Sequence, residues 1–309
     1  MNRPQESVDL EVHARSGASE ASGAPETPEP EVVLERRGGR VDILLNRPRR
    51  LNAFTAGMFA RLTQICAELA DDRGTRVVVV RGAGTAFAAG NDIAMFAGRT
   101  GEQIMADYET TVMGMLDALY GLPQLTVAAI DGVCVGGGLA VATCCDVRIA
   151  TTGARFGYPI ARTLGNALST PVLARCVAVF GESATRAMLL TGRTIDAGRA
   201  HDLGAVLEVA RDADELGALV DELAAGALRT APVTIETTKR QLAHLAAAAT
   251  DPAYDARERE LLRAVYDSGG FREGVRAFLA KEKPTFPPDR LAARADTPPG
   301  PTPAAPREA

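Results

Sequence analysis

The run Val77-Val78-Val79-Val80 constrains this chain more than any other feature. Side chains alternate between the two faces of a strand, so four consecutive valines need apolar cover on both sides. Similar runs recur at Thr126–Ile130 and Val147–Ala150. Helical spacing fills the intervals. It is clearest at Thr55–Asp72 (Met58, Leu62, Ile65, Leu69), then near Glu102–Tyr120 and in a short apolar stretch through Cys144. Two β-rich runs, Glu31–Glu35 and Val41–Leu45, flank Gly38-Gly39, a hairpin signal. Repeating βα units with buried strands predict an α/β body over 31–210. From about Pro171 nearly every segment reads as a helix: Val172–Phe180, Glu182–Leu190, Ala213–Arg229, Pro232–Leu245, Asp255–Asp267 and Phe271–Lys281. Residues 211–283 are therefore expected to be a helical region.

Composition sets the limits of this body. Of 18 prolines, four lie in residues 1–30 and eight in 284–309, so both ends read as disordered tails that cannot bury enough apolar surface to offset ordering entropy. Residues 1–30 carry six acids against two bases, which accounts for most of the chain's net charge of −5. The body is nearly neutral, which argues against a nucleic-acid footprint. Five cysteines (Cys66, Cys134, Cys144, Cys145, Cys176), each in an apolar stretch and with no CxxC pair, fit buried free thiols in a reducing, cytoplasmic setting. No apolar run has signal-peptide or membrane-spanning character. The histidines (His13, His201, His244) are scattered, leaving little basis for a metal site or a Ser-His-Asp arrangement.

Two glycine-rich stretches follow predicted strands: Gly84-Thr85-Ala86-Phe87-Ala88-Ala89-Gly90-Asn91-Asp92-Ile93 and Asp131-Gly132-Val133-Cys134-Val135-Gly136-Gly137-Gly138-Leu139. Small residues admit close backbone approach, and N–H groups at a helix start carry partial positive charge without an intrahelical partner. Singly, each run reads as a tight turn. Two such donors converging on one oxygen form an oxyanion hole.

At this pairing the sequence resembles the enoyl-CoA hydratase/isomerase (crotonase) superfamily, over roughly Val32 to Lys283. The ordered matches are Leu45-Asn46-Arg47-Pro48 with Leu51-Asn52-Ala53, Ala86 through Ile93, and Ala129-Ile130-Asp131-Gly132 with Gly136-Gly137-Gly138. They continue with Cys145-Asp146, Phe156-Gly157 and Pro159, and Thr191-Gly192-Arg193 with Ile195-Asp196-Ala197. The resemblance implies a crotonase-like ββα spiral core followed by a C-terminal helical oligomerisation region, assembled as trimers or dimers of trimers. It implies an acyl-CoA or carrier-protein thioester as substrate, with CoA entering as part of it and no separate cofactor. The backbone amides of Asn91 and Gly137 would polarise the thioester carbonyl. Arg50 beside Arg49, Ala53, Ala89, Asp92, Ile93, Ala140 and Ile160 would line the substrate, and Phe278 and Lys281 would reach the CoA of a neighbouring subunit.

The departures matter more than the matches. Relatives that add water to an enoyl thioester use two glutamates, at the positions occupied here by Ala140 and Ile160. Neither side chain transfers protons, and each lost proton transfer is typically worth ~10²–10⁴-fold. Candidates for replacement lie in Tyr158–Asn166, where Gly165 is displaced by a residue: Arg162 to pair a carboxylate or phosphate, Tyr158 or Thr163 to donate a proton, Asn166 to orient a water. Tyr108 and Glu109 are a second place to look. Short acids such as Asp92 and Asp146 usually cap helices or pin loops. Thioester decarboxylation, C–C hydrolysis or isomerisation through an enolate fits these residues better than simple hydration. Two alternatives stay open: a catalytically inactive acyl-CoA binder, and a hydratase with replaced acid and base residues.

Overall fold

The computed structural model describes residues 29–248 and 254–287. The acidic tail before Glu29, with His13, and the Pro-rich tail from residue 288 lie outside the described residues, as does the Glu109 side chain. The strands are β1 (Val32–Arg37), β2 (Arg40–Leu45), β3 (Val77–Gly82), β4 (Ala86–Ala88), β5 (Leu125–Ile130), β6 (Val133–Val135), β7 (Val147–Thr151), β8 (Arg155–Gly157), β9 (Thr194–Asp196) and β10 (Glu208–Ala210). They form a six-stranded sheet in the order β1-β2-β3-β5-β7-β10 and a four-stranded sheet in the order β4-β6-β8-β9. The large sheet is parallel apart from the β1–β2 hairpin. Among the described residues no helix is long and apolar enough to cross a membrane.

The valine run behaves as its composition demands. Val78 and Val80 point into the main core, with Ala128 and Ile130 of β5 and with Met58, Leu62, Ile65 and Leu69 of the helix Ala56–Ala70. Val77 and Val79 point the other way, onto Leu216, Val220, Ala224 and Ala227 of the helix Ala213–Ala227. Those four recur at helical spacing and form the buried stripe of that helix. The change of pattern near residue 210 thus marks a change of secondary structure within one compact unit that begins at Glu31. Further helices follow at Pro232–Ala248, Tyr254–Tyr266 and Gly269–Ala280.

The small sheet differs from the sequence reading, which took 82–90 as a loop and read nearly every segment after Pro171 as helical. Its strands have three residues each, too short to show a period of two. What they do for the site is nonetheless decisive. β4, β6 and β8 run parallel, and from their C-terminal ends emerge Ala89-Gly90-Asn91, Gly136-Gly137 and Tyr158-Pro159-Ile160. The predicted helix at Glu102–Tyr120 also exists in a modified form, with a π-helical stretch at Tyr108–Met113 between Gly101–Asp107 and Gly114–Tyr120.

Asn52 ties the two sheets together. It is fully buried with φ +55°, a conformation asparagine tolerates better than most residues. Its Oδ1 accepts from the Arg47 N–H at 2.9 Å, and its Nδ2 donates to the carbonyls of Ala83 at 2.9 Å and Ala86 at 2.7 Å. Asn52→Ala strands these buried groups, so chemical denaturation should show a stability loss of about 3 kcal/mol.

Candidate active site

The first loop is held by a short parallel ladder. The Ala89 N–H donates to the Leu51 carbonyl (2.9 Å), the Phe54 N–H to the Gly90 carbonyl (2.8 Å), and the Asp92 N–H to the Phe54 carbonyl (2.8 Å). Phe54 bridges Asn91 in parallel register. In such a bridge the flanking groups are consumed and the central residue's own N–H faces the other side. Asn91 is that central residue. Arg47 clamps the ladder: it donates to the Ala53 carbonyl at 2.5 Å, contacts Asp92 Oδ2 at 3.2 Å through both terminal nitrogens, and pairs with Glu31 at 2.9 Å.

The second loop meets the first at Gly90 and Gly136, with φ of +105° and +55°. A Cβ built on Gly90 would lie 3.5 Å from the Gly137 nitrogen, and one on Gly137 would lie 3.5 Å from the Asn91 nitrogen and overlap the Asn91 side-chain oxygen. The two amide nitrogens therefore lie close to one point, with the Asn91 side-chain oxygen beside them. Gly136 is fixed by its N–H donating to the Gly157 carbonyl of β8 at 3.0 Å. Gly137 opens the helix Gly137–Cys144, so its N–H has no intrahelical acceptor. Among the described residues neither the Asn91 nor the Gly137 N–H donates to an internal acceptor.

The two positions that hold glutamates in hydrating relatives carry apolar side chains that are part of the main core. Ala140 and Ile160 are buried (6% and 9% exposed) in one cluster with Val112, Leu139 and Tyr158, and Met95, Tyr108, Met113 and Leu168 pack against it. The other candidates fall at varying distances from a catalytic role. Tyr158 is fully enclosed, its hydroxyl has no hydrogen-bond partner, and burial pushes its phenol well above the ordinary range, aided by its thiol and phenol neighbours Cys176, Tyr108, Cys134 and Cys144. Arg162 is exposed with its aliphatic stem over Gly192. Thr163 is also exposed, its hydroxyl donating to the Pro159 carbonyl. Asn166 is half-buried, hydrogen-bonded to the buried Tyr266 phenol, with its Oδ1 unpartnered.

Asp92 binds Arg47 and caps the turn Ile93–Phe96 through the Ala94 N–H. Ile93 is buried beside Phe96, Tyr266 and Phe271, while Ala53 and Ala89 are partly exposed along the ladder. Asp146 pins β5 by accepting from the Thr126 N–H and hydroxyl and pairs with Lys239 at 2.6 Å. All five cysteines are buried free thiols; burial raises Cys66 to about 12 and Cys144 and Cys176 to about 11. Arg49 and Arg50 are exposed on the turn Pro48–Arg50, and Phe278 and Lys281 are exposed at the end of the helix Gly269–Ala280. Among the described residues no three His, Cys, Asp or Glu side chains gather as metal ligands. Sequence reading did not find the positioning roles of Arg47, Asn52 and Phe54. For Arg47 and Asn52 the only signal was their place in the matched motifs, and Phe54, just after Ala53, had none.

A family model described as enoyl-CoA hydratase/isomerase matches residues 35–289. The chain is 33% identical over 262 residues to a Thermus thermophilus protein that carries an enoyl-CoA hydratase name, covering 82% of this chain and 100% of that relative. The crystal structure of an enoyl-CoA hydratase/carnithine racemase from Magnetospirillum magneticum is 35% identical with a TM-score of 0.67, covering 85% of this chain and 97% of the other. Methylmalonyl-CoA decarboxylase complexed with 2S-carboxypropyl-CoA is 25% identical with a TM-score of 0.76, covering 85% and 100%.

Gly137→Ala tests the approach of the two amides directly. The added methyl collides with the Asn91 side-chain oxygen beside the two amides and displaces the first loop, so turnover of any thioester substrate should fall by about 10²–10³-fold in steady-state assays of the folded variant.

Proposed function

This chain belongs to the enoyl-CoA hydratase/isomerase family, and from that premise we propose that it decarboxylates a malonyl-type acyl-CoA thioester through an enolate held by the Asn91 and Gly137 amides. The observation that carries the reading is the pairing of two unconsumed backbone donors with hydrocarbon at Ala140 and Ile160. A site without a base beside the α-carbon is poorly equipped to abstract a proton there. Loss of CO₂ generates the same enolate by breaking a C–C bond, so it needs no base at that point.

In this scheme the thioester oxygen accepts both N–H bonds, each worth about 3–4 kcal/mol in the transition state. The substrate carboxylate lies against apolar side chains, where it is poorly solvated, and neutral CO₂ is favoured over it. The bonding pair of the scissile bond moves into the enolate, CO₂ leaves, and the α-carbon then takes a proton from water. Arg49, Arg50 and Lys281 supply cations for the CoA phosphates. CoA enters with the substrate, no further cofactor is required, and the chain works as a homo-oligomer. The likeness to methylmalonyl-CoA decarboxylase supports decarboxylation as the reaction.

Mass spectrometry after incubation with malonyl-, β-keto- and enoyl-CoA esters tests the reading. Loss of CO₂ from the malonyl type is the expected result. Binding without turnover would identify an inactive binder, and water gain on the enoyl ester a hydratase with replaced groups. The double variant Ala140→Glu with Ile160→Glu restores the two missing acids. Once circular dichroism shows it folded, it should hydrate crotonyl-CoA at least ~10²-fold faster than the parent chain. A folded double variant that binds CoA without hydrating would show that these positions do not face the acyl group.

A further inference from the structure

The Asn91 side chain is a buried polar feature that the scheme above leaves unused. Only its backbone N–H enters that scheme. Its carboxamide Oδ1 is buried without a hydrogen-bond partner, and its Nδ2 makes no hydrogen bond to any described residue. Unpartnered buried amides are uncommon in native proteins and call for an explanation. The location narrows the choice. The oxygen lies where a Cβ of Gly137 would stand, beside the nitrogens of both loops, while the residue as a whole remains partly exposed. The enclosed Oδ1 is out of a ligand's reach, so the Nδ2, which makes no hydrogen bond and is not among the enclosed atoms, is the atom that can meet a molecule seated on the two amides. An amide nitrogen only donates, so it suits an acceptor such as a carboxylate oxygen.

We propose that the Asn91 carboxamide recognises a carboxylate on the α-carbon of the thioester and thereby selects malonyl-type thioesters over unsubstituted ones. The inference rests on the decarboxylase reading and adds a specificity-determining side chain to it. Other polar candidates are less well placed: Arg162 lies exposed over Gly192, Asn166 is engaged with Tyr266, and the Tyr158 hydroxyl is enclosed among thiols. A single amide donor on the carboxylate also fixes the orientation of the scissile bond. With that bond held perpendicular to the thioester plane, its electrons overlap the carbonyl system as CO₂ departs.

The test compares dissociation constants of malonyl-CoA and acetyl-CoA, measured by rapid mixing, in the parent chain, Asn91→Leu and Asn91→Ala. Both substitutions keep the backbone amide; leucine keeps the approximate shape and alanine opens a gap. The ratio of the two constants cancels general losses of folding or of CoA affinity. The preference for malonyl-CoA should fall by about 10- to 100-fold in both variants, as expected for a hydrogen bond to a charged group. Formamide should partly restore it in Asn91→Ala, a rescue that a merely structural role would not give. An unchanged ratio in both variants overturns the inference. If the parent chain releases CO₂ and the ratio is unchanged, only the role of Asn91 falls. If the parent chain releases none, the reaction itself is misread, and the ratio still reports whether the carboxamide holds a carboxylate.

Discussion

The site depends on two chain segments meeting at backbone distance. The left-handed φ of Gly90 and Gly136 favours glycine at the contact, and a Cβ on the neighbouring Gly138 would overlap the Ala88 carbonyl, so a side chain there would push the loops apart. Each loop is anchored behind this contact, the first by the Phe54 ladder and the Arg47 clamp, the second by the Gly136 bond to Gly157 of β8. Rigid anchoring matters because hydrogen-bond donors lower a barrier most when they are in place before charge develops. The three-residue strands β4, β6 and β8 achieve this by delivering the two donors and the Pro159-Ile160 turn side by side.

A sheet buried on both faces provides the support. Val78 and Val80 pack under the helix Ala56–Ala70, and Val77 and Val79 under the helix Ala213–Ala227. The second helix shows why an α/β body cannot be separated from the helices that follow it: without Leu216, Val220 and Ala224 one face of β3 and β5 would meet water. Lys239 makes a similar tie, joining the helix Pro232–Ala248 to Asp146 and to the Gln124 carbonyl.

Long periodic elements were legible in the sequence. The helix at Thr55–Asp72 appears as Ala56–Ala70 with Thr55 as its cap, and the buried strands and the glycine loops lie where their residues suggested. The small sheet was not legible, because three residues cannot show a period and β9 is far along the chain from β8. The ladder through Leu51, Phe54 and Gly90 was hidden for a different reason: backbone hydrogen bonds leave no side-chain signature. Asn91 illustrates both limits. Its backbone amide was expected to be a donor from motif matching, whereas the unpartnered carboxamide oxygen is visible only once Gly137 is in place beside it.

The convergence of the two amides on one carbonyl is tested most directly by isotope-edited infrared spectroscopy of acetyl-CoA bound to the full chain. Two N–H donors draw electron density from the thioester C=O and weaken it, so its stretch should move to lower frequency on binding. A bound thioester whose carbonyl band stays at its solution frequency, or rises, would contradict the arrangement described for Asn91 and Gly137.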